Sequence, residues 1–160
     1  MLDVERIKCR AKSVTLSGFR QDLIPQLKEL TVEMHTTSSF TALNLDLDRT
    51  MRYVSMQTNG IYFKVAERSG EVLGALYGYA SETFFSADKI AKVMGVWIAG
   101  KHQGSMGFIA LLMDFEEWAR TQGAKLIFLD QTTALDMERS QKLFDGCGYS
   151  VCGLNTVKEL

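Results

Sequence analysis

The sequence predicts a mixed α/β (α+β) fold, a mostly antiparallel central sheet with helices on both faces. Three observations predict it. The hydrophobic period switches between 3.6 and 2 several times along the chain. Residues 61–79 read as a hairpin, which makes part of the sheet antiparallel. Residues 92–129 read as strand, helix, strand, a unit whose strands run parallel through a right-handed crossover.

Each element has a local reason. Residues 5–16 alternate weakly and close on Ser13-Val14-Thr15-Leu16, a first strand. Asp22 is placed to cap a helix, with Pro25 in its first turn, where a missing N–H costs little. Leu23, Leu27, Leu30 and Met34 follow at helical spacing, and the polar run His35-Thr36-Thr37-Ser38-Ser39 breaks the pattern. Asp48 starts a second helix carrying Leu47, Met51 and Val54, which Asn59-Gly60 stops. Ile61–Val65 and Val72–Tyr79 are strands about the turn Arg68-Ser69-Gly70-Glu71. Residues 80–88 are a polar and aromatic excursion with Phe84-Phe85 at its centre, followed by a strand over Lys92–Ile98. From 105 to 122 the period is helical again, with Phe108, Leu111, Leu112, Phe115, Trp118 and Ala119 on one side and Gly123 at the end. Leu126-Ile127-Phe128-Leu129 reads as a strand buried on both faces. Thr133 or Asp136 opens a last helix through Leu143-Phe144, capped by Gly146. Tyr149-Ser150-Val151 and Thr156-Val157 close the chain as strands.

Composition narrows the class. The 160 residues are 46% apolar and 23% charged, an ordinary globular balance with no repeat, linker or low-complexity tract. One domain over 1–160 is expected. No apolar run approaches the ~20 residues that cross a bilayer. The first residues are acidic and carry no apolar h-region, so a cytoplasmic protein without a secretory signal is expected. Net charge is −1, and the densest basic group, Arg6, Lys8, Arg10 and Lys12, alternates with apolar residues as one face of a strand does. This argues against nucleic acid as sole partner. Cys9, Cys147 and Cys152 read as buried thiols in a reducing compartment, although Cys147 and Cys152 could meet across a turn. His35, His102 and these cysteines match no zinc spacing, so no metal is expected. Trp97 and Trp118 read as packing residues rather than substrate stackers.

The stretch 92–112 carries the chemistry. A strand runs into Ala99-Gly100-Lys101-His102-Gln103-Gly104-Ser105-Met106-Gly107 and then directly into a helix. The first N–H groups of that helix lack internal partners, and with the helix dipole they form a site for an anion. No GxxxxGK[ST] and no GxGxxG is present, so neither the P-loop nor the Rossmann reading applies.

Taken with the order of elements, these segments resemble the GNAT superfamily of acyl-CoA-dependent N-acyltransferases. The resemblance runs from about residue 20 to the C-terminus. It covers Glu67–Gly74, Val96-Trp97-Ile98-Ala99, His102–Gly107, the helix ending Glu116-Glu117-Trp118-Ala119-Arg120, and Lys142–Tyr149. Gln103 fits the first position of the family's Arg/Gln-x-x-Gly-x-Gly/Ala loop, whereas Met106 and Phe108 stand where glycine or alanine is usual. Met34–Phe40 and Phe84-Phe85-Ser86 also resemble a phage- and bacteria-associated branch.

The resemblance implies a GNAT-like sheet whose parallel pair, 92–98 and 126–129, splays apart, with Gly95 marking a bulge that opens it. It implies acetyl-CoA as cosubstrate, bound by Val96, Trp97, Ile98, Gln103, Gly104, Ser105, Met106, Gly107, Phe108 and Phe144. The acceptor would be a primary amine, on a small molecule or a protein. Many members supply the thiolate's proton from a tyrosine where Phe144 stands here. Ser140 or Tyr149 could substitute, or the thiolate could leave unaided. Glu82, His35 and Glu33 are the candidates for the base that deprotonates the amine. Phe40, Tyr53, Phe84 and Phe85 either line the acceptor pocket or form a homodimer interface. Phe144 also supports a rival reading, a catalytically weak acyl-CoA-binding module acting through protein contacts.

Overall fold

The computed structural model describes residues 11, 13–56, 58–103, 106–130, 137–153, 156 and 158. Five strands form one sheet in the order β1 (Thr15–Ser17), β2 (Ile61–Arg68), β3 (Glu71–Thr83), β4 (Ser86–Ile98) and β5 (Ala124–Leu129). The first four pair antiparallel and β4–β5 is parallel. They are accompanied by the helices α1 (Ile24–Thr37), α2 (Leu47–Ser55), α3 (Gly107–Thr121) and α4 (Met137–Gly146). Sheet alternation sends neighbouring side chains to opposite faces. Tyr62 packs with Leu76, Val93, Leu111 and Phe115 on the α3 face. Phe63 packs with Leu27, Leu30, Met51 and Trp97 on the α1–α2 face. Helices therefore cover both faces, as the sequence predicts.

The hairpins explain most of the sheet. Ser69 (φ 52°) and Gly70 (φ 80°) are both left-handed, the two-residue geometry that matches strand twist. The excursion expected at 80–88 is instead a second, longer hairpin. β3 runs to Thr83 and β4 begins at Ser86, leaving only Phe84-Phe85 as the turn. Their rings meet edge to face at 5.0 Å, and Phe84 is fully exposed.

Several caps move by a few residues because a side chain finds a better partner. Asp22 does not cap α1. Its carboxylate accepts from Arg20 at 3.1 Å, and residues 21–23 form a 3₁₀ turn before Ile24. α1 runs through His35 to Thr37, with the Thr36 and Thr37 hydroxyls donating to carbonyls one turn back. Asp46, not Asp48, caps α2, accepting from the Arg49 amide at 2.8 Å. Gly146 stays helical. Gly148 (φ 89°) ends α4, with the Tyr149 amide donating to Phe144 O and the Gly148 amide to Asp145 O, the Schellman pattern. The expected strand at Tyr149–Val151 is irregular chain. β5 is not buried on both faces. It is an edge strand among the described residues, and Leu126 is 59% exposed.

The expected strand residues 5–10, the basic group Arg6, Lys8, Arg10 and Lys12, Cys9, the starts at Thr133 and Asp136, and Val157 lie outside the described residues. Cys147 is half-buried, and Cys152 is a free thiol, exposed rather than buried. No described helix is long and apolar enough to cross a membrane.

Candidate active site

The site forms where β4 outruns β5. The parallel ladder holds from Lys89–Ala124 to Val93–Leu129 and then stops, while β4 continues to Ile98 along β3. Tyr77 pairs with Gly95 and Gly78 with Val93, so Met94 faces no β3 residue. That extra residue is a bulge, one position before the expected Gly95, and it bends β4 away from β5. Lys92 Nζ and Asp130 Oδ2 pair at 2.7 Å at the crotch of the fork. This hydrogen bond holds the Lys92 ammonium above its ordinary range.

Beyond the bulge, one edge of β4 is left open. The Ala99 amide donates to Leu73 O at 2.9 Å, which marks Leu73–Ala99 as a hydrogen-bonded pair. Alternation along an antiparallel ladder then turns the N–H and C=O of Gly95 and Trp97 toward β3. Those of Val96 and Ile98 point into the fork. No strand among the described residues pairs with them there.

A cavity of about 1120 Å³ fills the fork and continues under α1 and α2. One end is walled by Val96, Ile98, Gln103, Met106, Phe108 and Phe144. The Phe108 and Phe144 rings lie 6.0 Å apart. The other end is walled by α1, the 3₁₀ turn at 39–42, α2, and the β2 and β3 residues facing them. At about 1120 Å³, the space is at the large end of ligand-binding cavities.

The loop between β4 and α3 is tied down from two sides. The Glu33 carboxylate of α1 accepts from the Gly100 amide at 2.6 Å. Glu71 pairs with Lys101 and approaches His102 Nε2 at 3.2 Å. α3 follows at Gly107, and its N-cap, Met106, makes no side-chain capping bond. The helix thus brings its positive end to the cavity. Gly104 and Ser105, the centre of the expected anion loop, lie outside the described residues.

The sequence-selected residues divide by position. Val96, Trp97, Ile98, Gln103, Met106, Phe108, Phe144 and Ser140 all line the cavity. Gly107 is buried at the start of α3. Tyr149 and Glu82 do not line the cavity. Tyr149 donates to Glu116 Oε1 at 3.0 Å, and burial together with that carboxylate pushes its phenol well above the ordinary range. Glu82 is exposed opposite Lys89 near the end of β3. His35 donates from Nε2 to Leu43 O at 2.8 Å, just behind the cavity residues Met34 and Ser38. Phe40 and Tyr53 line the cavity, whereas Phe84 and Phe85 stand apart at the hairpin tip. Trp97 is buried in the core, and Trp118 packs on Tyr62 and Phe115 at 5.3 and 5.4 Å. Sequence reasoning missed Thr31 of α1, which lines the cavity, and the exposed Arg49 of α2, which stands at its rim. Their only signal was a place beside each helix's apolar stripe.

A parallel pair forked open over a long cavity, with a helix N-terminus at one end, is an arrangement of the acyltransferase kind. The family model described as Acetyltransferase (GNAT) family matches residues 24–149, and the chain belongs to that family. No curated protein matches it by sequence. Solved structures match its fold over nearly their whole length. A transcriptional regulator from Bacillus halodurans C-125 aligns with TM-score 0.74 at 16% identity, covering 92% of this chain and 99% of that one. Glucosamine-6-phosphate N-acetyltransferase from Arabidopsis thaliana aligns with TM-score 0.71 at 13% identity, covering 92% and 98%. An aminoglycoside acetyltransferase from an uncultured soil metagenomic sample aligns with TM-score 0.69 at 17% identity, covering 92% and 99%.

Proposed function

We propose that the protein is an N-acetyltransferase that moves an acetyl group from acetyl-CoA to a primary amine by direct attack. The observation that carries this reading is the open β4 edge at Val96 and Ile98 inside the fork. An extended pantetheine amide chain can hydrogen-bond there as an added strand. The pyrophosphate is then held at the N-terminus of α3, beside Gln103 and Met106. Backbone donors suit this role despite the bulk of Met106 and Phe108, because they need no side chain.

The Ile98 N–H points toward the thioester carbonyl and stabilises the charge that grows on its oxygen. The acceptor amine enters from the α1–α2 end. As an ammonium, with a pKa near 10.4, it must first lose a proton. None of the expected bases Glu82, His35 and Glu33 lines the cavity, so the amine passes its proton to water. The leaving thiolate, at a pKa of roughly 8.5, needs little help. Ser140, which shares the wall with Phe144, is the hydroxyl placed to give it. The bond formed is amine nitrogen to acetyl carbon, and the bond broken is that carbon to sulfur.

Phe144 keeps a second reading in view, an acyl-CoA-binding module with little turnover. One experiment separates the two. Thiol release from acetyl-CoA is followed over a panel of primary amines, alongside calorimetric titration of acetyl-CoA. Release above hydrolysis with at least one amine is expected. Binding without release supports the module, and no binding heat refutes both.

A further inference from the structure

The acceptor half of the cavity also identifies the kind of amine it takes. This inference rests on the acyl-transfer reading above and asks what sits opposite the thioester. The walls there are apolar and aromatic, with Leu27, Leu30, Met34, Phe40, Phe63 and Tyr77 among them. Three hydroxyls in the same wall are already engaged. Thr31 donates to Leu27 O at 2.7 Å, Thr50 to Asp46 O at 2.9 Å, and Ser38 to His35 O at 3.4 Å.

The charges sort in a telling way. Among the described lining residues there are three cations and two carboxylates. Lys92 is paired with Asp130 at 2.7 Å and Lys142 with Glu138 at 2.6 Å. That accounts for both carboxylates. Arg49 remains. Its guanidinium lies 5.3 Å over the Tyr53 ring and donates to the Tyr53 hydroxyl at 3.4 Å. It has no carboxylate partner among the described residues. A guanidinium has five N–H donors in a fixed fork, and the ring contact holds that fork in place while leaving most donors unused.

We infer that the acceptor is an amine with an apolar or aromatic body and an anionic group, a carboxylate or phosphate, which Arg49 binds. The apolar body takes the wall between α1, α2 and the sheet. The amine faces the fork and the anion faces Arg49. Polycationic amines fit poorly, since each additional ammonium would enter an apolar chamber with no unpaired carboxylate among the described residues.

Matched pairs of amines test this. Phenylalanine, 4-(aminomethyl)benzoate and 4-(2-aminoethyl)benzoate place a carboxylate at three separations from the amine. Each is compared with its twin lacking the carboxylate, and with spermidine and kanamycin. Acetyl transfer gives kcat/KM, and calorimetry with the N-acetylated products gives affinity without requiring turnover. At least one carboxylate member should exceed its twin by about tenfold or more. Arg49→Gln should bring that ratio to about one, and Arg49→Lys should restore part of it. Equal values within every pair overturn the inference, as does a preference for spermidine or kanamycin. A ratio insensitive to Arg49→Gln also overturns it. If no amine is acetylated but the products still show the Arg49-dependent preference, the pocket assignment stands and the transfer reading fails.

Discussion

Replacing Gly74 with alanine tests the architecture of the fork through a single methyl group. Gly74 lies on β3 opposite Ile98, where β4 has passed the bulge. A Cβ at that position would sit 2.4 Å from Trp97 O, 2.4 Å from Ile98 Cδ1 and 3.0 Å from Ile98 Cα. Ordinary contact begins at 3.4 Å, so about 1 Å must be made up. Two of the three atoms are backbone, so a rotamer change alone cannot relieve the clash. Forcing a methyl into such a contact costs about 1–3 kcal/mol. At about 2–4 °C for each kcal/mol in a chain of this size, Tm should fall by about 2–12 °C. The displaced segment is the one whose amides face the fork, and about 1 Å of misplacement can cost about 100-fold in rate. Urea unfolding followed by tryptophan fluorescence, with thiol release in parallel, measures both effects. Gly95→Ala is the control for stability. A Cβ there meets nothing within 4 Å, so unfolding should change by no more than about 0.5 kcal/mol. If Gly74→Ala unfolds at the wild-type urea midpoint, the close approach of β3 and β4 beside the site is refuted.

Two further outcomes follow from particular contacts. Phe144→Tyr places a phenol on the cavity wall beside Ser140, and kcat should rise by up to about 100-fold with KM for acetyl-CoA unchanged. Steady-state kinetics reads this, and an unaltered kcat would mean that the thiolate needs no donor at that position. Glu67 is buried, accepts from Arg20 at 2.9 and 3.0 Å, and also accepts from Ser17. Burial raises its pKa, but the bonds from Arg20 and Ser17 outweigh burial and hold it below the ordinary carboxylate range. A lowered folded pKa contributes stability above the unfolded value, near 4.3, and loses it as pH falls through the folded value. Arg20→Gln should therefore destabilise the fold at pH 7 and clearly less so at pH 3. Urea unfolding at the two pH values decides this, and equal costs would count against it.

Local chemistry made much of the fold legible. Ser69-Gly70 between two β-branched, aromatic runs specifies a hairpin because few residue pairs accept two left-handed conformations in succession. The stripe from Phe108 to Ala119 specifies a buried helix because its period matches no other element. Phe84-Phe85 misled because two exposed aromatics look like the centre of a loop. Pairing from Ser81–Ile90 onward extends the strands almost to the tip, and pairing is a property of two segments together. The caps at Asp22 and Asp48 moved because a cation holds each carboxylate, Arg20 for Asp22 and Lys28 for Asp48, and the one at Gly146 moved because the left-handed turn falls at Gly148.

The sequence by itself determined the order of elements from β1 to α4, the parallel crossover through α3, and the helix start just after Gln103, because each depends on residues close in the chain. Only the tertiary structure decided where the site lies. β5 stops at Leu129, β4 bulges at Met94, and α1 and α2 roof the resulting gap with Arg49 at its rim. These features come from segments up to a hundred residues apart, and their register is set by packing against a shared core. No local pattern encodes which backbone groups that packing leaves unpaired.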